Sequence, residues 1–156
     1  MTKKKNSSGG PIIAQNKKAR HLYELLEFFE AGIVLVGTEV KSLRAGQVSF
    51  TDSYVHISNG EAWLLGTHIA PYANAGYVQH DPDRDRKLLL NAREIHTLRS
   101  RIEQKGLTIV PVKMYFKNSR VKVEIAVGRG KKLHDKRQDI KQRDVDRETR
   151  REIMNK

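Results

Sequence analysis

Ser53–Leu65 reads SYVHISNGEAWLL, and the fold class follows from it. Val55 and Ile57 alternate with polar neighbours, the two-residue period of a strand with one buried face. Asn59-Gly60 comes next, a dipeptide that tolerates the positive φ values of a type I′ turn. Glu61–Leu65 then continues as the returning strand. A second hairpin is expected from Leu107–Phe116 and Arg120–Val127, joined near Lys117–Ser119. In its second arm Val121, Val123 and Ile125 face one way while Lys122 and Glu124 face the other. Pro111 has no N–H to give a ladder, so the first arm should expose an edge or carry a bulge there.

Helical signals are fewer. Asn91 is placed to cap a helix, with Glu94 three residues on as the reciprocal partner of a capping box. Ala92, Ile95, Leu98 and Ile102 recur at three- and four-residue steps, and Gly106 is a natural stop. A shorter helix over about 38–44 would turn Val40 and Leu43 inward and end at Gly46. In residues 20–36 the spacing of Leu22, Leu25, Leu26 and Phe29 fits a helix. Ala31-Gly32 would then turn the chain into a buried strand, Ile33–Val36.

The 156 residues carry 30 Lys plus Arg against 18 Asp plus Glu, a formal charge of +12. Residues 1–20 hold six of the basic residues and no acid, and residues 128–156 hold 11 basic and six acidic. The middle is close to neutral. This predicts a basic disordered arm over 1–11, a globular body over 12–128 and a basic, core-poor tail over 129–156. Clustered cations displace condensed counterions from phosphates, so the layout fits a polyanion partner. The tail is expected to be disordered alone and helical once phosphates neutralise its Arg and Lys. Asp139/Arg143 and Asp146/Arg150 are its favourable i,i+4 pairs.

Several chemistries drop out. With no Cys, disulfides, thiol nucleophiles, thiolate zinc sites and Fe–S clusters are excluded. The longest apolar runs are far short of a membrane span. No apolar stretch follows the basic start, so a secretory signal is not expected and the compartment reads as cytoplasm. No His pair has ligand spacing, no Ser sits in a G-x-S-x-G setting, and Gly128–Lys132 lacks the Walker pattern. Asp81, Asp83 and Asp85 alternate like ligands of a metal-dependent nuclease. Arg84, Arg86 and Lys87 among them read instead as internal counter-ions of a shaped loop. Trp63, Tyr54, Tyr72, Tyr77 and Tyr115 fit core positions better than base-stacking ones. The glycines at 128 and 130 read as the exit from the last strand into the tail. Neither a catalytic nor a metal site, and no cofactor, is expected.

Six segments in fixed order carry a resemblance: Asn16–His21 (NKKARH), Glu30–Ile33 (EAGI), Gly37–Gly46 (GTEVKSLRAG), Asp52–Tyr54, Arg86–Asn91 (RKLLLN) and Gly130–Arg137 (GKKLHDKR). Together they resemble the small protein B (SmpB), or SsrA-binding protein, family of bacterial trans-translation. The resemblance implies an oligonucleotide-binding (OB-fold-like) antiparallel β-barrel with accessory helices and a tail. It also implies that residues 21–29 form a strand pairing with Ile33–Val36 rather than a helix. The implied function is non-enzymatic. The protein would bind the tRNA-like domain of transfer-messenger RNA (tmRNA, SsrA RNA) and deliver it, with elongation factor Tu (EF-Tu), to stalled ribosomes as a monomer. The RNA-binding residues this implies are Asn16, Lys17, Lys18, Arg20, His21, Tyr23, Glu30, Lys41, Arg44, Leu89 and Asn91. For Glu30, an acid on a phosphate-binding face, the expectation is that it accepts from a base or orients a neighbouring cation. Tail residues Lys131, Lys132, His134, Asp135, Lys136, Arg137, Ile153 and Met154 would meet the ribosome and its small-subunit rRNA in the decoding centre and empty mRNA channel. The competing readings are another tRNA-binding or ribosomal OB protein, and the nuclease above.

Overall fold

The structure, a computed structural model, describes residues 10–131 and 133–154, with the backbone alone for 133–140, 152 and 153. The elements run β1 (Ile12–Gln15), α1 (Lys17–Leu22), β2 (Tyr23–Ile33), α2 (Gly37–Arg44), β3 (Val48–Ser49), β4 (Tyr54–Ser58), β5 (Glu61–Leu65), β6 (His68–Ile69), β7 (Arg86–Leu89), α3 (Ala92–Ile102), β8 (Leu107–Lys117), β9 (Arg120–Gly130) and α4 (Leu133–Met154). The arm expected over 1–11 falls outside the described residues up to position 9. From Pro11 the chain is tied down, because the Phe116 N–H donates to the Pro11 carbonyl at 3.1 Å.

Both hairpins form. Asn59 and Gly60 take φ values of +50° and +73°, and β4 and β5 pair in register from Tyr54–Leu65 to Ser58–Glu61. Asn118 and Ser119 make the equivalent positive-φ turn between β8 and β9. Pro111 lies at a bulge between positions 111 and 113 rather than on an edge, since β8 is paired on both sides. Seven strands make one antiparallel sheet in the order β1-β8-β9-β2-β7-β5-β4, with β3 and β6 paired separately. The sheet curls, bringing β4 back against β8. Its inner face is filled by Val55, Leu64, Leu88, Ile109, Met114, Val123 and Ile125. Leu98 of α3 and Leu43 of α2 complete the same core. Helix α3 starts as expected: the Glu94 carboxylate accepts from the Asn91 N–H at 3.3 Å.

Residues 20–36 correct the sequence reading. After one short helix, Tyr23–Ile33 is a single 11-residue strand running straight through Ala31-Gly32. It pairs with β9 and β7, not with Ile33–Val36. A register shift lies between Leu25 and Glu27, yet exposure still alternates from Tyr23 to Glu30. The helical look comes from Leu22, Leu26 and Phe28, apolar residues at exposed positions that hide the two-residue alternation. Strand β9 continues through Gly128 and ends at Gly130, so of the two glycines it is Gly130 that marks its exit.

Helix α2 also differs. Its buried side chains are Glu39, Ser42 and Leu43, with Val40 only half-buried. Glu39 is fully buried and pairs with Arg86, itself fully buried, and with Arg84 at 2.5 Å. It also accepts from the Val36 N–H at 3.0 Å. Burial pushes this carboxyl up, but the hydrogen bonds from Arg84, Val36 and Arg86 outweigh it and hold it below the usual carboxylate range. Arg86 donates in addition to the carbonyls of Thr67 at 2.7 Å and Pro82 at 3.0 Å. Thus Arg84 and Arg86 are not counter-ions of their neighbouring aspartates; they fasten residues 80–86 to α2. Among the described residues no group of three His, Asp or Glu side chains is arranged to hold a metal, and no helix is long and apolar enough to cross a membrane.

Candidate RNA interface

The bulge in β8 is the foundation of the site. It takes the carbonyls of Pro111 and Val112 out of regular pairing, and Asn16 satisfies both. Its N–H donates to Val112 at 2.7 Å and its side-chain Nδ2 to Pro111 at 2.8 Å. Helix α1 is thereby pinned to the outer face of the sheet, with Ala19 buried beneath it and Lys17, Lys18 and Arg20 exposed. Lys131 locks the far end, its N–H donating to the Leu22 carbonyl at 2.9 Å and its ammonium to the Arg20 carbonyl at 3.0 Å. His21 accepts at Nδ1 from the Arg143 guanidinium at 3.2 Å. Arg has only donors, so this bond requires a His21 ring with Nδ1 unprotonated. An open cleft of about 650 Å³ lies between α1, the sheet and α4, with Lys17, Arg20, Lys113, Lys131 and Arg143 around it and Glu124 the one acid among its described lining residues. Glu124 pairs with Lys113 at 3.4 Å.

Beyond the bulge of β2, Tyr23 and Leu25 stand opposite Gly130 and Gly128. A Cβ at Gly128 would lie 2.9 Å from that of Tyr23, so the ring's seat depends on glycine there. Glu30 is seven residues further along the same strand, roughly 23 Å away. Its carboxylate accepts from the Tyr115 hydroxyl and from the Lys117 ammonium at 3.1 Å. The Tyr115 hydrogen bond is the main cause holding Glu30 below its ordinary pKa, against burial and with help from Lys117. Burial and then the Glu30 contact push the Tyr115 phenol well up, so it stays a donor. Leu89 is about half exposed and sits over Gly32, and Asn91 begins α3 beside it.

Of the residues singled out from sequence, the structure therefore gathers Asn16, Lys17, Lys18, Arg20, His21 and Tyr23 at one end of β2, and Glu30, Leu89 and Asn91 at the other. Lys41 and Arg44 lie apart, exposed on α2, which packs against β6. The Lys41 ammonium sits 5.7 Å over the Tyr72 ring. Of the aromatic set, Tyr115 is buried, Trp63 and Tyr72 are half-buried, and Tyr54 and Tyr77 are exposed. In the tail, Lys132 and the side chains of His134, Asp135, Lys136, Arg137 and Ile153 lie outside the described residues, while Met154 is exposed. Leu133–Met154 is one helix. Asp146 accepts from Gln142 at 3.1 Å instead of pairing with Arg150, and the Asp139 side chain is not among those described.

A family model described as SmpB protein matches residues 13–155. The chain belongs to the SmpB family. It is 88% identical to the SsrA-binding protein of Oleidesulfovibrio alaskensis, over 99% of both chains. It is 66% identical to the SsrA-binding protein of Nitratidesulfovibrio vulgaris, over 96% of this chain and 97% of the relative. A solved SmpB chain, described under "tmRNA-SmpB: a journey to the center of the bacterial ribosome", superposes with a TM-score of 0.68 at 50% identity. That likeness covers 80% of this chain and 87% of the solved one.

Sequence reasoning gave no site role to Lys113, Lys117 and Lys122 and read Tyr115 as core, where it is buried; all four share the outer face with Glu30. The signal was present in β9, where Lys122 and Glu124 alternate against Val121, Val123 and Ile125. What it lacked was the partner strand that shares that face.

Proposed function

We propose that this protein is a non-enzymatic adaptor that binds the tRNA-like domain of tmRNA and, with elongation factor Tu, brings it to stalled ribosomes. The observation that carries this reading is the outer face of β2, β8 and β9. A helix bearing Lys17, Lys18 and Arg20 is bolted to it, a cation-lined cleft lies beside that helix, and family membership supplies the RNA. The curled antiparallel sheet supports an OB-like barrel that reads folded RNA by shape and phosphate position rather than by sequence. Asn16, Lys17, Lys18, Arg20, His21 and Tyr23 form one part of the RNA face, Glu30, Leu89 and Asn91 a second, and Lys41 and Arg44 on α2 an outlying third. The protein acts as a monomer in the cytoplasm.

The tail beyond Gly130 has a different task. It enters the decoding centre and vacant mRNA channel through Lys131, Lys132, His134, Asp135, Lys136, Arg137, Ile153 and Met154, ordering its helix against ribosomal RNA. Coupled ordering costs on the order of 2–5 kcal/mol, which lets an occupied channel exclude it. Deleting residues 132–156, which keeps Lys131 and its hold on α1, is expected to leave binding to a tRNA-like-domain transcript nearly intact while abolishing tagging of stalled chains in a reconstituted translation system. Equal loss of both would overturn the division of labour. Affinity for ordinary tRNA matching that for the transcript, at fixed salt, would overturn the choice of RNA.

A further inference from the structure

An acid on a phosphate-binding face repels its ligand unless its charge is used internally. Both oxygens of Glu30 are in use. Oε2 accepts a hydrogen bond from the hydroxyl of Tyr115, a side chain only 3% exposed, and Oε1 accepts from the Lys117 ammonium at 3.1 Å. Lys117 forms the last pair of the β8–β9 hairpin, opposite Arg120 and immediately before the Asn118-Ser119 turn. It is about one-third exposed. An ammonium has three donors, and among the described residues this one has no partner besides Glu30, so donor capacity remains for a ligand. Lys122, opposite Gly32 on β9, stands one row along. The tip thus presents Lys117, Arg120 and Lys122 beside the neutralised Glu30, continuous with exposed Leu89, while Glu124, opposite Glu30 on β9, is paired with Lys113.

We propose that Glu30 does not touch RNA but is a positioning residue, holding Lys117 as a phosphodiester-contacting side chain at the tip of the β8–β9 hairpin. This deepens the RNA-binding reading above and rests on it. A free lysine gives up rotamer freedom on binding; one already tethered by a carboxylate gives up less. Tyr115 makes the tether rigid, because its buried ring fixes where the carboxylate points, and the Lys113 ammonium lies 5.5 Å over that ring. The part of the hairpin that carries Lys117 is paired without a break from Lys113–Glu124 to Lys117–Arg120, so the contact is presented from a stiff element.

The test is a double-mutant cycle on the full chain, with a transcript of the tRNA-like domain as probe and binding followed from low to high salt. Lys117→Ala is expected to weaken binding about 5- to 10-fold and to lower the slope of log affinity against log salt by about one, the signature of one lost phosphate contact. Glu30→Gln keeps the shape and an acceptor for Tyr115 but loses the charge that holds Lys117. It should reproduce both effects, and the double variant should be no worse than either single. Lys117→Arg should recover most of the affinity. If Lys117→Ala changes neither affinity nor slope, or if the two losses add, Glu30 meets RNA by itself and the proposal is overturned. Should Glu30→Gln fail to fold, Lys117→Ala against Lys117→Arg decides alone. Failure of the parent protein to prefer this transcript over tRNA would sink the functional reading instead, and that outcome is separate.

Discussion

The body and the tail treat charge in opposite ways. At the centre of the body, Glu39 and Arg86 are removed from solvent altogether and held by each other, by Arg84 and by backbone groups. In the tail, every described side chain from Lys141 to Arg151 is exposed, and so is Met154. A helix without a buried apolar stripe draws little stability from packing. The first arrangement buries its charges within the fold; the second leaves the side chains of residues 141–151 open to solvent. Removing an acid should therefore have opposite consequences in the two places.

The largest effect is expected at Glu39. Glu39→Ala leaves the Arg86 guanidinium buried without its anion, which costs about 3–5 kcal/mol, a large fraction of a typical domain's total stability. Urea unfolding measures it directly. Because the carboxyl is held below its ordinary pKa of 4.5, its contribution is complete above that value and fades as pH falls through the lower, folded-state value. The parent protein should lose stability on acidification below about pH 4.5, and the variant should show a shallower loss. An identical pH profile in the two would show that the pair is not what anchors α2 to residues 80–86.

Next is Gly128→Ala. The added methyl would press on Tyr23, whose Cβ lies 2.9 Å from where it must go. A cost of about 1–3 kcal/mol is expected, together with weaker RNA binding, because the displaced ring borders α1. Asn16→Ala should cost less, about 1 kcal/mol for the lost hydrogen bond to the Pro111 carbonyl. Its RNA affinity should fall with the salt slope unchanged, since Asn16 supports the cations of α1 without adding one. A reduced slope in Asn16→Ala would show that a cation of α1 loses its phosphate along with Asn16, since a neutral amide adds no charge of its own.

Much of the body was legible because its signals are local. Asn59-Gly60, the alternation of β9, the Pro111 irregularity and the Asn91/Glu94 start of α3 each follow from a few adjacent residues. Two kinds of feature were not. Exposed Leu26 and Phe28 put apolar residues on both faces of β2 and hide its strand alternation, and only the partner strand β9 reveals the pairing. The Glu39–Arg84–Arg86 cluster joins residues over 40 positions apart, so Arg84 and Arg86 read locally as partners of the aspartates beside them. The site shows the same split. The α1 cations lie in one run of sequence, whereas the Tyr115 and Lys117 contacts of Glu30 exist only once β2 and β8 are laid on either side of β9.

The smallest effect completes the contrast. Asp146→Ala removes the acceptor that Gln142 uses one helical turn away, worth about 0.2–0.5 kcal/mol of helix stability. It also takes one of the few negative charges from a basic segment. In the free protein the tail's amides should exchange slightly faster. On a polyanion the variant should bind as well as the parent or slightly better, with a steeper salt slope, because phosphate then supplies the stabilisation that Gln142–Asp146 gave. In the body, deleting an acid strands a cation that has nowhere to go; in the tail it leaves neighbouring cations free for phosphate. Hydrogen exchange with and without RNA separates the two behaviours, and a tail variant that lost RNA affinity in step with helix stability would show that the tail helix, like the body, is held by its own side chains.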